Sequence, residues 1–210
     1  VSNPCVGLGM ILKGYEKGRE TRPLSIRFIG NITNADLSQL LSDVNGLQLK
    51  GKNNSIPTQI TLEGIGDDAT VTHFGFAIIG ANNVEIRNLG FMLFNDDGIS
   101  IKGAYKVWVH NCDIFYGKAG SASDQAKGDG SLDVKDNTQY ATFSYVHFWD
   151  SGKMSLCGMK SETGPNYITY HHNWFDHSDS RHPRIRTMTV HVYNNYYDGN
   201  AKYGVGATMG

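Results

Sequence analysis

Residues 84–88 read Val84-Glu85-Ile86-Arg87-Asn88: two apolar residues separated by one charged residue, then an asparagine two positions beyond the second. Apolar side chains two apart follow the period of a strand, not that of a helix. The pattern returns as Val107-Trp108-Val109, Ala141-Thr142-Phe143, Ile168-Thr169-Tyr170 and Val190-His191-Val192, with first residues 23, 34, 27 and 22 apart. Ile60-Thr61-Leu62 fits 24 residues earlier. Two positions past these pairs stand Asn88, Asn111, Tyr145, His172 and Asn194. Asparagine dominates this column, as expected where a chain turns a corner and a side-chain amide can bond the backbone.

A second series runs about eight residues ahead of the first: Phe76-Ala77-Ile78, Ile99-Ser100-Ile101, Leu132-Asp133-Val134, Met154-Ser155-Leu156, Ile185-Arg186-Thr187 and Val205-Gly206-Ala207. Each unit therefore carries at least two short strands. A period of 22 to 24 residues with excursions is that of a solenoid. Units this short without a 3.6-residue period fit an all-β fold, a parallel β-helix, better than a helical or leucine-rich array. One such domain accounts for residues 1–210. The amphipathic stretch 35–44 reads as a short helix near the N-terminal end, and the excursions 113–129 and 158–165 read as loops.

Composition narrows the function. The 210 residues include 19 basic and 20 acidic ones, for a net charge of −1, so no general basic field invites nucleic acid. Apolar runs fall far short of the roughly 20 residues that span a bilayer. The chain opens at Val1 without a basic-then-apolar leader, and is read as a mature or trimmed form. Cys5, Cys112 and Cys157 make no disulfide framework; the latter two read as buried thiols, with a bridge between them left open. The histidines at 171, 172, 177 and 182 have no zinc-ligand spacing and are read as structural. Trp174, Tyr193, Tyr196 and Tyr197 are expected to stack between coils.

Alternation also sends chemistry to one face. In the second series the middle residue leaves the core, which puts Asp133 outside, Ser155 one coil on, and Arg184 and Arg186 one further. Asp96-Asp97 enter the preceding coil, Asp129 enters the coil of Asp133, and Lys153 enters between the acids and the arginines. An Asp-Gly pair alone would only make a turn. Carboxylates from neighbouring coils, facing Arg181, Arg184 and Arg186 across roughly 10 Å, point instead to an oxygen-liking cation such as Ca²⁺.

Five motifs, in order and spacing, resemble the family 1 polysaccharide lyases, and among them the bacterial pectate lyases. They are Val107-Trp-Val-His-Asn-Cys112, Gly128-Asp-Gly-Ser-Leu-Asp133 with Gly152-Lys153, Tyr167-Ile-Thr-Tyr-His-His-Asn-Trp174, Arg181-His-Pro-Arg-Ile-Arg186 and Val190-His-Val-Tyr-Asn-Asn-Tyr-Tyr197. The resemblance covers about residue 57 to the end and, more loosely, Pro23 to Thr33. It implies a right-handed parallel β-helix with three sheets and Ca²⁺-dependent β-elimination of polygalacturonate by a secreted monomer. Motif by motif, it implies Arg181 as the base at C5, Lys153 and Arg186 as binders of substrate carboxylates, and Asp97, Asp129 and Asp133 as Ca²⁺ ligands. A further acid that some members carry is Asn95 here.

Two other readings compete: a lyase for methyl-esterified pectin, which needs no Ca²⁺, and a non-catalytic β-helix that binds cell-wall polysaccharide. Retention of the three acids argues against the first, and retention of Arg181 and Lys153 against the second. A simple ion pair between Arg181 and Asp179 is the plain alternative to a base. Family members run several coils past residue 210, so an apolar cross-section is expected at the C-terminal end.

Overall fold

In the computed structural model, which describes residues 7–42, 44–116, 129–199 and 202–209, the chain winds as a parallel β-helix. Its right-handed sense is the one that parallel crossovers take. Each coil presents three faces. The first carries the strands Gly46–Lys50, Phe76–Ile79, Asp97–Lys102, Gly130–Lys135, Leu156–Cys157, Arg184–Arg186 and Gly206–Met209. The second carries Asn82–Arg87, Tyr105–His110, Gln139–Ser144, Ile168–His171 and Val190–Tyr193. The third carries Gly90–Met92, Asp113–Phe115, His147–Trp149, Trp174–Asp176 and Tyr196–Asp198.

The second and third faces form one hydrogen-bonded sheet, so the three faces are built from two sheets. The join is the long strand Ile60–Thr72, whose start pairs with Asn82–Arg87 and whose end pairs with Gly90–Met92. Leu24–Thr33 follows it around the same bend. Asp113–Phe115 is a strand, not part of a loop; the rest of the excursion through residue 128 lies outside the described residues, apart from Tyr116.

Single residues turn the corners. Asn88, Asn111, Tyr145, His172 and Asn194 all have φ between 51° and 55°. A second column precedes the core pairs: Gln59, Asn83, Lys106, Tyr140 and Tyr167, with φ between 54° and 68°. The left-handed conformation costs most side chains energy, yet one such residue redirects the strand without lengthening the coil. Asparagine suits it because its amide can bond nearby backbone: Asn88 Nδ2 donates to the carbonyls of Gly64 (2.7 Å) and Gly66 (3.1 Å) one coil back.

The first series keeps the register read from sequence. Ile60, Val84, Val107, Ala141, Ile168 and Val190 pair in succession. The second series departs from the sequence reading twice: Ile185 pairs with Ala207, not Val205, with a register shift before Arg186, and one earlier slip reverses the alternation. Val134 pairs with Cys157 and Leu156 with Arg184, so Ser155 belongs to the inward set, not the outward one. A slip of one residue turns every side chain to the opposite face. Ser155 is tolerated inside because its hydroxyl meets Tyr170 Oη at 2.8 Å and the Leu132 carbonyl at 2.5 Å.

The helix is also elsewhere. Residues 34–40 form turns, because Asp36 Oδ2 accepts from Thr33 N (2.7 Å) and Thr33 Oγ1 (2.9 Å), a local arrangement that competes with helix. The helix is Leu8–Glu16, which buries Leu12 and Tyr15 and packs on Gly46–Lys50 at the N-terminal end. Two glycines, Gly9 and Gly14, weaken its signal in the sequence. A Cβ at Gly9 would come within 2.7 Å of Leu40.

Inside, like residues stack along the axis. The rings of Phe148, Phe175 and Tyr197 lie nearly parallel, 5.0 and 5.2 Å apart. On the outer surface Trp174 stacks on His147 at 4.2 Å and Tyr193 on His171 at 5.1 Å. Cys112 and Cys157 are free, buried thiols, and burial pushes the Cys112 thiol up to about 12; Cys5 lies outside the described residues. In the last coil Ile185, Val190, Val192 and Tyr197 are only partly buried.

Asn173 and Asn195 form an internal amide ladder. Asn173 accepts from Val146 N (3.0 Å) and donates to Phe143 O (2.9 Å) and to Asn195 Oδ1 (2.9 Å), and Asn195 donates to Tyr170 O (2.9 Å). Asn173→Ala leaves two buried backbone groups unpaired and is expected to cost about 2–3 kcal/mol, read from the urea unfolding midpoint. Asn88→Ala, at an exposed corner, should cost less than half of that.

Candidate active site

Asp96, Asp97, Asp129, Lys153 and Arg181 arrive at one corner, the turn from the third face into the first, one coil after another, whereas Asp133, Arg184 and Arg186 stand on the strands of the first face. Asp129 N donates to Asp96 O (2.8 Å), Ser131 N to Lys153 O (3.1 Å), Met154 N to Ser180 O (2.9 Å) and Ser155 N to Arg181 O (2.8 Å). Asp96 and Asp97, then Asp129, then Lys153, then Arg181 are thereby set on successive rungs about 4.8 Å apart. Acid lies at one end of the row and base at the other.

Ligand oxygens of Asp96, Asp97 and Asp129 lie within 4.8 Å of one another. Asp133 stands beside them on the strand Gly130–Lys135. It leaves the core, as its place in the alternation requires, but it is 1% exposed and its Oδ1 accepts from Leu156 N at 2.9 Å. Gly130 makes the convergence feasible. A Cβ there would lie 2.6 Å from Asp133 Oδ1 and 3.1 Å from Asp97 Oδ1. Burial and the Asp133 carboxylate push Asp97 up to about 7, against the pull of Lys135. Burial and Asp129 raise Asp96.

Lys135 was not singled out in the sequence. Its ammonium lies 3.2 Å from Asp97 Oδ2 and 3.1 Å from Asp133 Oδ2. Burial alone would lower its pKa, and the two carboxylates more than reverse that. The other oxygen of Asp97, Oδ1, is buried with no hydrogen-bond partner among the described residues. A buried carboxylate oxygen without a donor is costly unless a cation meets it. With two further carboxylates at hand and no nitrogen or sulfur donor in the group, the donor set fits a hard divalent cation such as Ca²⁺. Asp96, which the sequence reading left out of the ligand set, belongs to this cluster; its adjacency to Asp97 was the available signal.

The basic half is held differently. Lys153, 4% exposed, is ion-paired with Asp129. Arg181 has φ +67°, a left-handed conformation at a half-buried position. The next residue, His182, is fully buried, with Nδ1 on the Tyr203 carbonyl and Nε2 on Ser178 Oγ. An Nδ1–H donor fixes the tautomer so that Nε2 accepts from the serine, and the imidazole pins the turn that carries Arg181. Asp179 is paired with Lys202 at 2.8 Å. Arg184 donates to Thr208 Oγ1 (3.2 Å) and Arg186 to Met159 O (3.4 Å).

A second group, Asp176, His177 and Asp198, lies on the third face. Asp176 is already engaged by His147 (3.0 Å) and by His177. This network takes up His177, one of the histidines read as structural, together with His147.

The sequence profile of the pectate lyase family matches residues 20–209. A pectate trisaccharide-lyase of Bacillus licheniformis is 32% identical over 195 residues, covering 90% of this chain and 53% of that protein. One of Thermotoga maritima is 32% identical over 166 residues, covering 71% and 42%. The chain thus spans about half the length of these relatives. In fold it resembles a pectate lyase from Bacillus sp. N165 solved with trigalacturonate, with a TM-score of 0.81 and 24% identity over 96% of this chain and 64% of that one. A Xanthomonas campestris pectate lyase gives a TM-score of 0.70 at 22% identity, over 95% and 64%.

Since Asp133 is buried and bonded, replacing it should reach the fold as well as the site. Asp133→Ala strips Leu156 N of its acceptor and Lys135 of one of its two carboxylates, and is expected to lose about 3 kcal/mol in EDTA, measured by urea unfolding. Asp133→Asn keeps an acceptor for Leu156 N and should lose less.

Proposed function

The chain belongs to the pectate lyase family, and on that premise we propose that it is a Ca²⁺-dependent pectate lyase. It cleaves the α-1,4 links of polygalacturonate by β-elimination and acts as a secreted monomer outside the cell. The observation that carries this reading is the row at one corner: carboxylates, then Lys153, then Arg181, one per coil.

Arg181 takes the proton from C5 of the galacturonate whose own C4–O4 bond is to break, and the neighbouring sugar leaves with the oxygen. The C–H electrons form the C4–C5 double bond, the C4–O4 bond breaks, and the departing oxygen gains a proton from water. The product is a 4,5-unsaturated oligogalacturonate. The C5 proton is acidified by its own carboxylate, where negative charge accumulates as the proton leaves. Lys153 and Arg186 bind substrate carboxylates and offset that charge. Asp97, Asp129 and Asp133, with Asp96, hold the Ca²⁺, which when bound supplies further positive charge against the substrate carboxylate. His182 keeps the Arg181 turn rigid, so the base meets C5 without reorganising.

Absorbance of the unsaturated product tests this. De-esterified polygalacturonate should be cut faster than highly methylated pectin, and EDTA should abolish the signal until Ca²⁺ is restored. Full activity in EDTA would overturn the Ca²⁺ reading. Arg181→Lys should lose on the order of 10²-fold in kcat with little change in KM, because a lysine point charge cannot replace a positioned guanidinium. A raised KM at unchanged kcat would make Arg181 a binding residue.

A further inference from the structure

Lys135 is a buried cation inside a cation site. Its side chain is 14% exposed, and the carboxylates it bridges are 4% and 1% exposed. We propose that Lys135 is the resident counter-ion of this site, holding Asp97 and Asp133 together when no metal is bound and keeping Ca²⁺ affinity low until substrate carboxylates join. The proposal rests on the Ca²⁺ reading above.

Charge and position support it. Asp133 and Lys135 are two apart on one strand, so both leave the core on the same side. Lys102, the rung partner of Lys135, turns instead to Asn45 Oδ1 at 3.4 Å. Four carboxyl groups, Asp96, Asp97, Asp129 and Asp133, gather around the two ammonium groups of Lys135 and Lys153, so the capacity for negative charge exceeds the resident positive charge and leaves room for a cation. Without Lys135 the same acids would present a deeper well for Ca²⁺ and a poorer apo fold, because buried carboxylates would face one another uncompensated.

The geometry also divides the work within Asp97. Its Oδ2 is taken by Lys135, and its Oδ1 has no partner and lies toward Gly130. Lys135 therefore does not block the cation position. It engages the oxygen opposite the unpartnered one and would add a repelling charge to any cation held there. A positive charge a few ångströms from a bound divalent cation weakens binding on the order of tenfold or more, even at the effective dielectric of a protein site. A substrate carboxylate arriving at the metal offsets that repulsion. Metal and substrate then favour each other reciprocally. Lys135 acts through the aspartates and is a positioning residue, not a catalytic one.

Calcium titration calorimetry and thermal unfolding decide it, on the full chain, with and without trigalacturonate. Lys135→Met keeps the side-chain volume and removes the charge. It is expected to bind Ca²⁺ at least tenfold more tightly than wild type without the sugar, and to gain less from adding it. Its Tm in EDTA should fall by several degrees and recover with Ca²⁺. Equal or weaker Ca²⁺ affinity in a folded variant would overturn the proposal while leaving the Ca²⁺ reading intact. Absence of Ca²⁺ binding by wild type and variant alike, with sugar present, would overturn both. Should Lys135→Met fail to fold even in Ca²⁺, the wild type still decides. The Lys135 Cε resonance, assigned by its loss in Lys135→Arg, should shift as Ca²⁺ is added, and an unmoved resonance at saturation would overturn the proposal.

Discussion

Every position in this molecule is referred to the backbone hydrogen bonds between one coil and the next. In a parallel ladder those bonds fix the rise at about 4.8 Å and leave no freedom to slide by less than a whole register step. The stacked core follows from that rise: Phe148, Phe175 and Tyr197 meet nearly face to face because their strands are in register. So does the corner row of acids, lysine and arginine, whose members are neighbours in space although Asp97 and Arg181 are far apart in sequence. Spreading the chemistry over several rungs lets carboxylates gather at one end of the row and sets Arg181 at the other. The pairings that do form, Lys153 with Asp129 and Lys135 with Asp97 and Asp133, join acids to ammonium groups and leave Arg181 in its own turn.

Much of this was legible in the sequence, and what escaped did so for definable reasons. The first series kept its register because its inner residues are all apolar and the residues between them, Trp108 apart, are polar, so only one face could be buried. The second series slipped at Met154-Ser155-Leu156-Cys157, where both alternating sets contain an apolar residue. Hydrophobicity alone favoured Met154 and Leu156. A hydroxyl partner on another strand, Tyr170, made Ser155 a good inward residue, and that partner was invisible to local pattern. The helix was misplaced for a similar reason: a side-chain bond at Asp36 turned an amphipathic stretch into turns, and the glycine-bearing segment Leu8–Glu16 gained its order from packing on the end of the coil.

At the site, the residue types and the corner were readable, and the pairings were not. Asp97, Asp129, Asp133, Lys153, Arg181 and Arg186 could be picked out by motif. Lys135 could not, because lysine at the end of a strand ordinarily faces water; only the fold reveals that it folds back onto two buried carboxylates. His182 hid in the same way inside the motif that carries Arg181.

The corners have a consequence for how such a chain can change. Since one left-handed residue suffices to turn, any number of residues can be added beside it without altering the strands that follow. The 158–165 excursion is such an addition, tied back by Glu162, whose carboxylate accepts from Met159 N, Asp136 N and Thr187 Oγ1. Loops at the corners can therefore lengthen or shorten freely. The distance from acid to base, by contrast, is quantised. It changes only by gaining or losing an entire turn of the solenoid, a jump of about 4.8 Å that no intermediate sequence can make gradually. Selection has a continuous dial at the rim and a single discrete setting at the chemistry.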